Sequence, residues 1–390
     1  MSDPNRFLWL EGVFDEDTMF AFPSISPASN AWQKGFLDGL HQLGHEVEII
    51  GFPYERIWPF GRLSVGCRQA ALANGLSGKV VGYKNIPFLR DIFRYMNMLS
   101  AAKNYFRNSK KKPDFQIVYS CSDNSIIARW IGWTSLSSPS IRLANYIREH
   151  YGVPWICIHA DGTAPPGADG YVYLPWSNYQ SAPAAQSSIH IDGGVPEVEP
   201  RNSKASVANN VLAEKILMYM GALTPHGGVT QLARAFSKIN DEEIQLWICG
   251  RGENPELERM GELDQRIKLH GFVEENELNR LANKAFAFAN PRPNSFAPNK
   301  LNYPSKLLLY LAYGKPVIST FTDGLSPEYD ELLIPIKDET DECLGKAIKQ
   351  VLNMEEGKYK EMRNRIAKFN ETHTWVYQCR RFTSWLDQNM

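Results

Sequence analysis

The sequence lacks the features that mark secreted, membrane-spanning and nucleic-acid-binding proteins. Its six cysteines among 390 residues form no CxxC pair, and its first residues, MSDPNRFLWLEG, contain no basic segment followed by an apolar one. No apolar run is long enough to span a bilayer. The formal net charge of −1 gives no electrostatic reason to invoke nucleic acid. We therefore expect a cytoplasmic protein with reduced thiols and no secretory signal.

The length and the order of predicted elements indicate two α/β domains. A chain of 390 residues exceeds one ordinary hydrophobic core. Strand-like and helix-like segments alternate over residues 6–160 and, after the polar stretch 197–210, again over residues 215–319. The predicted strands are 6–14, 45–52, 114–120 and 154–160 in the first half, and 215–221, 244–250, 266–272, 286–290 and 315–319 in the second. This alternation predicts two Rossmann-like, doubly wound parallel sheets.

Several loops that follow strands in the second half carry groups that bind phosphate. Residues 221–228, GALTPHGG, lead into a predicted helix, while Arg251 and Arg292 each follow another predicted strand. Backbone N–H groups at a helix start and guanidinium groups both bind phosphate oxygens. Since ligands of such sheets bind beyond the carboxyl ends of the strands, the pattern predicts a diphosphate site there.

Residues 302–320, NYPSKLLLYLAYGKPVIST, predict a helix followed by a strand. Pro304 and Ser305 begin the helix, leucines follow at helical spacing, and Gly314 ends it. Lys306 then lies in the first turn, where the helix dipole disfavours a cation. A bound anion would offset this effect, so we predict that Ser305 and Lys306 face the same diphosphate.

Taken in order, these motifs resemble a known family. The succession G-x-L…GGV-x-x-L-x-x-AF, ICGRGE, LHGFV, NPRPN and YPSKLLLYLAYGKPVIST covers roughly residues 215–330. It is similar to the donor-binding half of family-4 glycosyltransferases with the GT-B fold. The NPR…PSK…YLA-GKPVIST variant resembles a bacterial branch associated with surface and secreted polysaccharides. The first half resembles the family only in outline.

The resemblance implies a GT-B architecture with two domains facing a cleft. Residues 1–200, joined by the C-terminal helix 375–390, would bind the acceptor, and residues 201–374 would bind the nucleotide sugar. The implied activity is metal-independent hexosyl transfer with retention of configuration, from a UDP- or GDP-linked donor to a hydroxyl group. The acceptor would be a glycan, a lipid-linked compound or a small molecule, with no cofactor besides the nucleotide sugar and no nucleic-acid partner.

The resemblance also assigns individual residues. Donor binding is expected of Gly221, Ala222, Leu223, His226, Gly227, Arg251, Phe272, Val273, Arg292, Ser305, Lys306 and Leu307. His159 and Asp161 would lie near the sugar as catalytic candidates, although a structural role for His159 is an equal alternative. Ser26, Ser29 and Asn30 lie on the loop where acceptors would dock.

The sequence departs from the family pattern at three positions. Ala222 and Gly227 stand where many members have Arg and Lys, and Leu309 stands where a Glu normally binds the donor ribose. A leucine cannot accept a hydrogen bond from a hydroxyl group. Two alternatives therefore stay open: a non-catalytic GT-B companion subunit, and a sugar-nucleotide epimerase of the same fold.

Three further patterns have competing interpretations. Residues 15–17, Asp-Glu-Asp, imitate a metal-binding Asp-x-Asp motif, and residues 250–252, Gly-Arg-Gly, imitate half of a dinucleotide fingerprint. We interpret both as chance matches. The predicted amphipathic helix 88–110 carries basic and aromatic residues, which suit either contact with an anionic membrane or packing on its own sheet. Membrane contact would place the protein at the inner face of the membrane.

Overall fold

The computed structural model describes residues 4–71, 76–121, 138–198 and 215–390. The contacts among them divide the chain into two compact units. Unit 1 comprises Met1–Leu174, Asn178–Gly194 and Trp375–Met390, and unit 2 comprises Pro175–Ser177 and Val195–Thr374. The C-terminal helix thus belongs to unit 1, whereas most of the predicted linker 197–210 lies outside the described residues.

Unit 1 is built on a large sheet with one small accessory pair. Its described strands are β1 (Arg6–Trp9), β2 (Glu46–Gly51), β3 (Ser64–Val65), β4 (Arg68–Ala71), β5 (Ser77–Val80), β6 (Tyr83–Lys84), β7 (Phe115–Cys121), β8 (Trp155–Asp161), β9 (Gly170–Tyr173) and β10 (Ser188–His190). The described strands of the sheet follow the order β10-β9-β8-β7-β1-β2-β5-β4, and β3 pairs with β6.

The pairing in this sheet is parallel except at one edge. Strand β4 runs antiparallel to β5, and β3 runs antiparallel to β6. The parallel part agrees with the predicted doubly wound sheet, but the antiparallel strands were not predicted. They come from residues 64–84, a stretch interrupted by glycines and without a sustained apolar alternation.

Helices cover the sheet of unit 1. They are α1 (Glu16–Ala21), α2 (Pro27–Gln42), α3 (Arg90–Asn108), α4 (Pro139–Tyr151) and the C-terminal helix (Trp375–Asn389), and a short helix, α5 (Trp176–Gln180), follows β9. The C-terminal helix packs closely on α2. A Cβ atom added at Gly35 in α2 would lie only 2.1 Å from the Trp375 indole, so the glycine leaves room for this ring. An aliphatic and aromatic core fills each side of the sheet.

Unit 2 contains a second, wholly parallel sheet. Its strands are β11 (Lys215–Met220), β12 (Ile244–Cys249), β13 (Ile267–Gly271), β14 (Ala287–Asn290), β15 (Val317–Ser319) and β16 (Leu333–Pro335). Among the described residues they follow the order β13-β12-β11-β14-β15-β16. The chain therefore adds β12 and β13 on one side of β11 and β14 to β16 on the other.

Helices lie on both faces of this sheet. They are α6 (Val229–Ser237), α7 (Pro255–Leu263), α8 (Glu275–Lys284), α9 (Ala297–Leu301), α10 (Lys306–Ala312), α11 (Asp341–Leu352) and α12 (Glu356–Thr372). Two separate hydrophobic clusters fill the space between these helices and the sheet. With both faces covered, only the ends of the strands are left to carry a ligand site.

Candidate active site

Most of the donor residues expected from sequence lie in loops at the carboxyl edge of the sheet in unit 2. The order of strands reverses between β11 and β14, and the crevice at such a reversal is where doubly wound sheets bind ligands. Backbone hydrogen bonds join the loops there: Gly221 N donates to Cys249 O at 2.8 Å, and Leu223 N donates to Arg251 O at 2.9 Å. Gly250 N donates to Gly271 O at 2.8 Å.

Two glycines allow these loops to approach one another. A Cβ atom at Gly250 would lie 1.6 Å from the Gly221 carbonyl oxygen, and one at Gly228 would lie 1.8 Å from the Pro291 carbonyl oxygen. Gly228 also has a φ of +73°, a left-handed conformation that glycine adopts most readily. The loops after β11, β12 and β14 therefore form one compact edge.

Arg292 is held at this edge by neutral partners. Its Nη2 atom donates to Asn299 Oδ1 at 2.7 Å, and Asn299 Nδ2 donates in turn to the His226 carbonyl oxygen at 2.9 Å. Thr320 Oγ1 donates to the Arg292 carbonyl oxygen at 2.6 Å. Burial of the guanidinium group lowers the pKa of Arg292. The residue is thus a fixed and partly desolvated cation.

Lys306 brings a second cation to the same place. It is the first residue of α10, and a Cβ atom at Gly221 would lie 2.7 Å from its Nζ atom. The residue as a whole is exposed to solvent, yet desolvation of its ammonium group, followed by repulsion from Arg292, lowers the pKa of Lys306 to about 8. The lysine therefore lies at the Gly221 loop, next to Arg292.

No carboxylate of the described residues forms an ion pair with Arg292, Lys306 or His226. Burial, followed by repulsion from Arg292 and Lys306, lowers the pKa of His226. Arg292 and Lys306 thus repel one another without an acidic side chain to compensate, and His226 is kept neutral beside them. Such an arrangement has its lowest energy when an anion binds among them.

Arg251 and Phe272 form a more exposed part of the edge. The Arg251 guanidinium carbon lies 3.7 Å from the centre of the Phe272 ring, a cation–π contact. Both side chains are exposed to solvent. A flat, solvent-facing pair of this kind offers a surface on which an aromatic base can stack.

Two buried tyrosines that were not predicted hold the end of β11 and its loop through hydrogen bonds. The Tyr219 hydroxyl donates to the Ala222 carbonyl oxygen at 2.9 Å, and the Tyr310 hydroxyl donates to the Met220 carbonyl oxygen at 2.7 Å. Burial raises the pKa of both hydroxyl groups. They hold the end of β11 and the first residues of its loop. Tyr310 lies one helical turn after Lys306. This spacing, which places both residues on one face of the helix, was the signal in the sequence that could have identified Tyr310.

The remaining residues predicted to bind the donor differ in solvent exposure. Ser305 is exposed, Val273 is half-buried, and Leu307 is fully buried in the core. Ser305 is the residue before α10, and its side chain does not cap that helix. Leu309 is partly buried against the hydrophobic cluster on that face of the sheet. A carboxylate at position 309 would therefore have to leave an apolar contact.

In unit 1, His159 is an interior residue of β8. None of its surface is exposed, its Nε2 atom lies 3.2 Å from the Gly162 carbonyl oxygen, and its ring meets Tyr173 edge to face. Burial lowers the pKa of His159, so the imidazole is neutral. These contacts suit the structural alternative. Asp161 is half-buried at the end of the same strand, and the catalytic role of both residues stays a prediction.

The predicted acceptor residues lie at the start of α2. Ser26 is its N-cap and accepts from Ser29 N at 3.3 Å. Asn30 is buried and uses both ends of its amide on the Phe14 backbone, at 2.9 Å each. Asn30 thus fixes the loop that follows β1. Asp15, from the apparent Asp-x-Asp motif, is the N-cap of α1 and accepts from Thr18 N.

Sequence reasoning missed one ionisable group in unit 1, Glu11. It follows β1 at the carboxyl edge, where the strand order reverses between β1 and β7. Its side chain is 5% exposed and accepts from Gly12 N, the Tyr54 hydroxyl and the Ser140 hydroxyl at 3.2–3.3 Å. Burial, opposed by these hydrogen bonds, raises the pKa of Glu11 to about 7. A lone Glu in LWLEGVF gave no indication of this.

Comparisons with known proteins agree with this geometry. The family described as "Glycosyl transferases group 1" matches residues 214–354, the part that carries the cation cluster. No curated protein sequence matches the chain. The family match supports a glycosyl transfer role.

Solved structures match over nearly the whole chain at low sequence identity. Sucrose-phosphate synthase from Thermosynechococcus elongatus has a TM-score of 0.63 and 14% identity, with 98% of each chain covered. The catalytic domain of starch synthase IV from Arabidopsis thaliana, bound to ADP and acarbose, has a TM-score of 0.65 and 12% identity, with 99% of each covered. Anabaena HepE, in complex with UDP and glucose, has a TM-score of 0.62 and 11% identity, with 98% of this chain and 99% of that chain covered. The predicted α/β GT-B fold is therefore confirmed.

Proposed function

We propose that the protein is a retaining glycosyltransferase that moves a sugar from a nucleoside diphosphate donor to a hydroxyl acceptor, in glycan or polysaccharide biosynthesis. The observation that carries this proposal is the pair of uncompensated cations, Arg292 and Lys306, at the strand reversal of unit 2. The family match over the same residues and the nucleotides bound by two similar structures support it.

In this reaction the carboxyl edge of the sheet in unit 2 would stabilise the leaving diphosphate. The acceptor's hydroxyl oxygen bonds to the anomeric carbon as the bond between the sugar and the diphosphate breaks. The electron pair of the broken bond goes to the diphosphate oxygen, where negative charge grows, and the hydroxyl proton passes to the departing diphosphate or to water. Arg292 and Lys306 are already in place before that charge appears, so the protein need not reorganise to stabilise it. Cations that interact more strongly with the departing diphosphate than with the intact donor accelerate the step. We assign no protein nucleophile.

The base would stack on the exposed Arg251–Phe272 pair, while the ribose would lie towards α10. Leu309 offers no acceptor for the ribose hydroxyl groups, so backbone groups or water must bind them. UDP and GDP are the expected nucleotides, and the sugar is a hexose. No metal ion is part of the proposal, because the two cations supply the positive charge.

A binding and turnover panel tests the proposal. Thermal unfolding is measured with UDP, GDP, ADP, TDP and their sugars, because a ligand that binds only the folded state raises the midpoint. The nucleotide sugar that shifts the midpoint is then incubated with the protein, and released nucleotide and transferred sugar are followed. A shift with sugar transfer supports the proposal. The absence of any shift supports the companion-subunit alternative, and conversion of the donor without an acceptor supports the epimerase alternative.

A further inference from the structure

Two aromatic side chains form a pair at the carboxyl edge of unit 2, beside the two cations. The ring centres of His226 and Phe296 lie 5.9 Å apart, and the ring planes are inclined by 29°. Phe296 is 46% exposed, and His226 is half-buried. A single exposed aromatic residue is normal on a protein surface. This pair differs because it lies at the edge where doubly wound sheets bind ligands.

One buried asparagine fixes both rings relative to Arg292. The Nδ2 atom of Asn299 donates to the His226 carbonyl oxygen at 2.9 Å, and its backbone N donates to the Phe296 carbonyl oxygen at 2.8 Å. Its Oδ1 atom accepts from Arg292 Nη2 at 2.7 Å. Asn299 is only 1% exposed, so these bonds are shielded from water. A ligand group bound to Arg292 therefore has the His226–Phe296 pair as a fixed neighbour.

The loop that carries Phe296 is anchored before the ring as well. Ser295 donates to the Glu339 carboxylate through its backbone N, at 2.7 Å, and through its hydroxyl group. Asn294 Nδ2 donates to the Phe321 carbonyl oxygen at 2.8 Å. Because the loop is already ordered, covering its aromatic ring with a ligand costs little further conformational entropy.

The order of strands places Phe296 at the opposite end of the edge from the Arg251–Phe272 pair. Arg251 and Phe272 follow β12 and β13, whereas Phe296 follows β14, on the other side of β11. Neighbouring strands lie about 4.8 Å apart, so β14 is roughly 10 Å from β12. A nucleotide sugar has its base at one end, its diphosphate in the middle and its sugar at the other end. With the base on Arg251 and Phe272 and the diphosphate on the two cations, the sugar comes next to Phe296.

The His226–Phe296 pair suits a neutral group such as a hexose. Burial, followed by repulsion from Arg292 and Lys306, lowers the pKa of His226, so its ring is uncharged at neutral pH. A hexose carries C–H groups on the faces of its ring and hydroxyl groups around its edge. Packing of a C–H face against aromatic rings removes apolar surface from water.

We propose that the His226–Phe296 pair binds the sugar of the nucleotide donor, with one face of the hexose packed against it. The inference rests on the proposed function, because it takes the diphosphate to lie on Arg292 and Lys306. It adds Phe296, which no sequence motif indicated, to the residues that bind the donor. Phe296 should then influence the affinity for the sugar and not the affinity for the nucleotide.

A comparison of nucleotides with and without the sugar tests this inference. Calorimetry measures the dissociation constants of UDP, GDP, ADP and TDP and of the glucose derivative of each. For a nucleotide that binds, Phe296→Ala should raise the ratio of the two constants, glucose derivative over nucleoside diphosphate, roughly three- to tenfold. Phe296→Tyr keeps an aromatic ring and should restore the ratio towards that of the wild type.

Two control variants separate this effect from a general loss of binding. Phe272→Ala should weaken both ligands equally, because the base is common to them. Leu263→Ala removes another exposed apolar side chain of unit 2 and should bind both ligands as the wild type does. The thermal midpoint of each variant checks that it folds.

The outcomes distinguish this inference from the proposed function. An unchanged ratio in Phe296→Ala, including an equal loss for both ligands, would overturn the inference and leave the proposed function intact. A wild type that binds a nucleoside diphosphate but none of the glucose derivatives would overturn it too. If the wild type binds no nucleotide at all, the proposed function fails and the inference fails with it.

Discussion

Replacing Lys306 tests whether α10 delivers a cation to the diphosphate. Lys306→Ala removes one charge-assisted contact, worth about 1.5–3 kcal/mol, so nucleotide-sugar affinity should fall roughly ten- to a hundredfold. Removal of one of two repelling cations relieves the repulsion from Arg292 in the free protein. The thermal midpoint of the free protein should therefore not decrease.

The pH dependence of binding provides a second, independent measure of the same residue. The pKa of Lys306 is about 8 in the free protein, below its ordinary value of 10.5, and a bound anion would raise it again. Only the charged lysine attracts the diphosphate, so affinity should fall as the pH rises through 8. If the bound lysine stays protonated, the loss between pH 7 and pH 9 is about tenfold. About half a proton should be taken up per nucleotide at pH 8.

Lys306→Arg is the matched control for this experiment. Arginine keeps its charge throughout this pH range, so the variant should lose the pH dependence that Lys306 causes, whatever its absolute affinity. Titration of the nucleotide base affects both proteins equally and cancels in the comparison. Calorimetry in buffers of different ionisation enthalpy measures affinity and proton uptake together. Equal pH slopes in the two proteins, or an alanine variant that binds as tightly as the parent, would refute the assignment.

Three further predictions follow from individual residues. Arg292→Ala should weaken nucleotide binding as Lys306→Ala does, and calorimetry of the double variant should show a non-additive loss, because both cations contact one ligand. Gly221→Ala should also weaken binding, because its Cβ atom would lie 2.7 Å from Lys306 Nζ, whereas Gly357→Ala, with nothing within 4 Å, should not. Glu11→Gln should alter the pH dependence of stability. The folded-state pKa of Glu11, about 7, exceeds its ordinary 4.5, so the wild type should lose about 3 kcal/mol relative to the variant between pH 4.5 and pH 7. Urea unfolding at pH 5 and pH 8 measures this, and equal differences at both pH values would contradict it.

The strand–helix order was predictable because parallel sheets need long crossovers whose apolar periodicity is visible in the sequence. The segment around Lys306 illustrates this, since the predicted helix is present as Lys306–Ala312, although it begins two residues after the predicted start at Pro304. The antiparallel strands near residue 70 are short and depend on neighbours in the sheet. No local pattern predicts such pairing.

The candidate site was predictable where the chemistry lies in the loop itself, as for Arg251 and Arg292. The groups that support the site were not predictable, because their role depends on how deeply their side chains are buried. Tyr219, Tyr310 and Glu11 look like ordinary residues in the sequence, and only the packing shows that their polar atoms are buried at strand ends. The sequence also did not show that Asn30 is buried, with both ends of its amide bonded to the Phe14 backbone, and so differs from an exposed residue that could bind an acceptor.

The central claim is that unit 2 binds a diphosphate through two uncompensated cations. The most direct test is calorimetric titration of the preferred nucleoside diphosphate and of the matching monophosphate, with wild type and with the Arg292→Ala, Lys306→Ala double variant. We predict that the wild type binds the diphosphate roughly ten- to a hundredfold more tightly, since the second phosphate adds a charge-assisted contact. The double variant should not distinguish the two nucleotides. Equal affinities in the wild type, or an undiminished preference in the double variant, would contradict the claim.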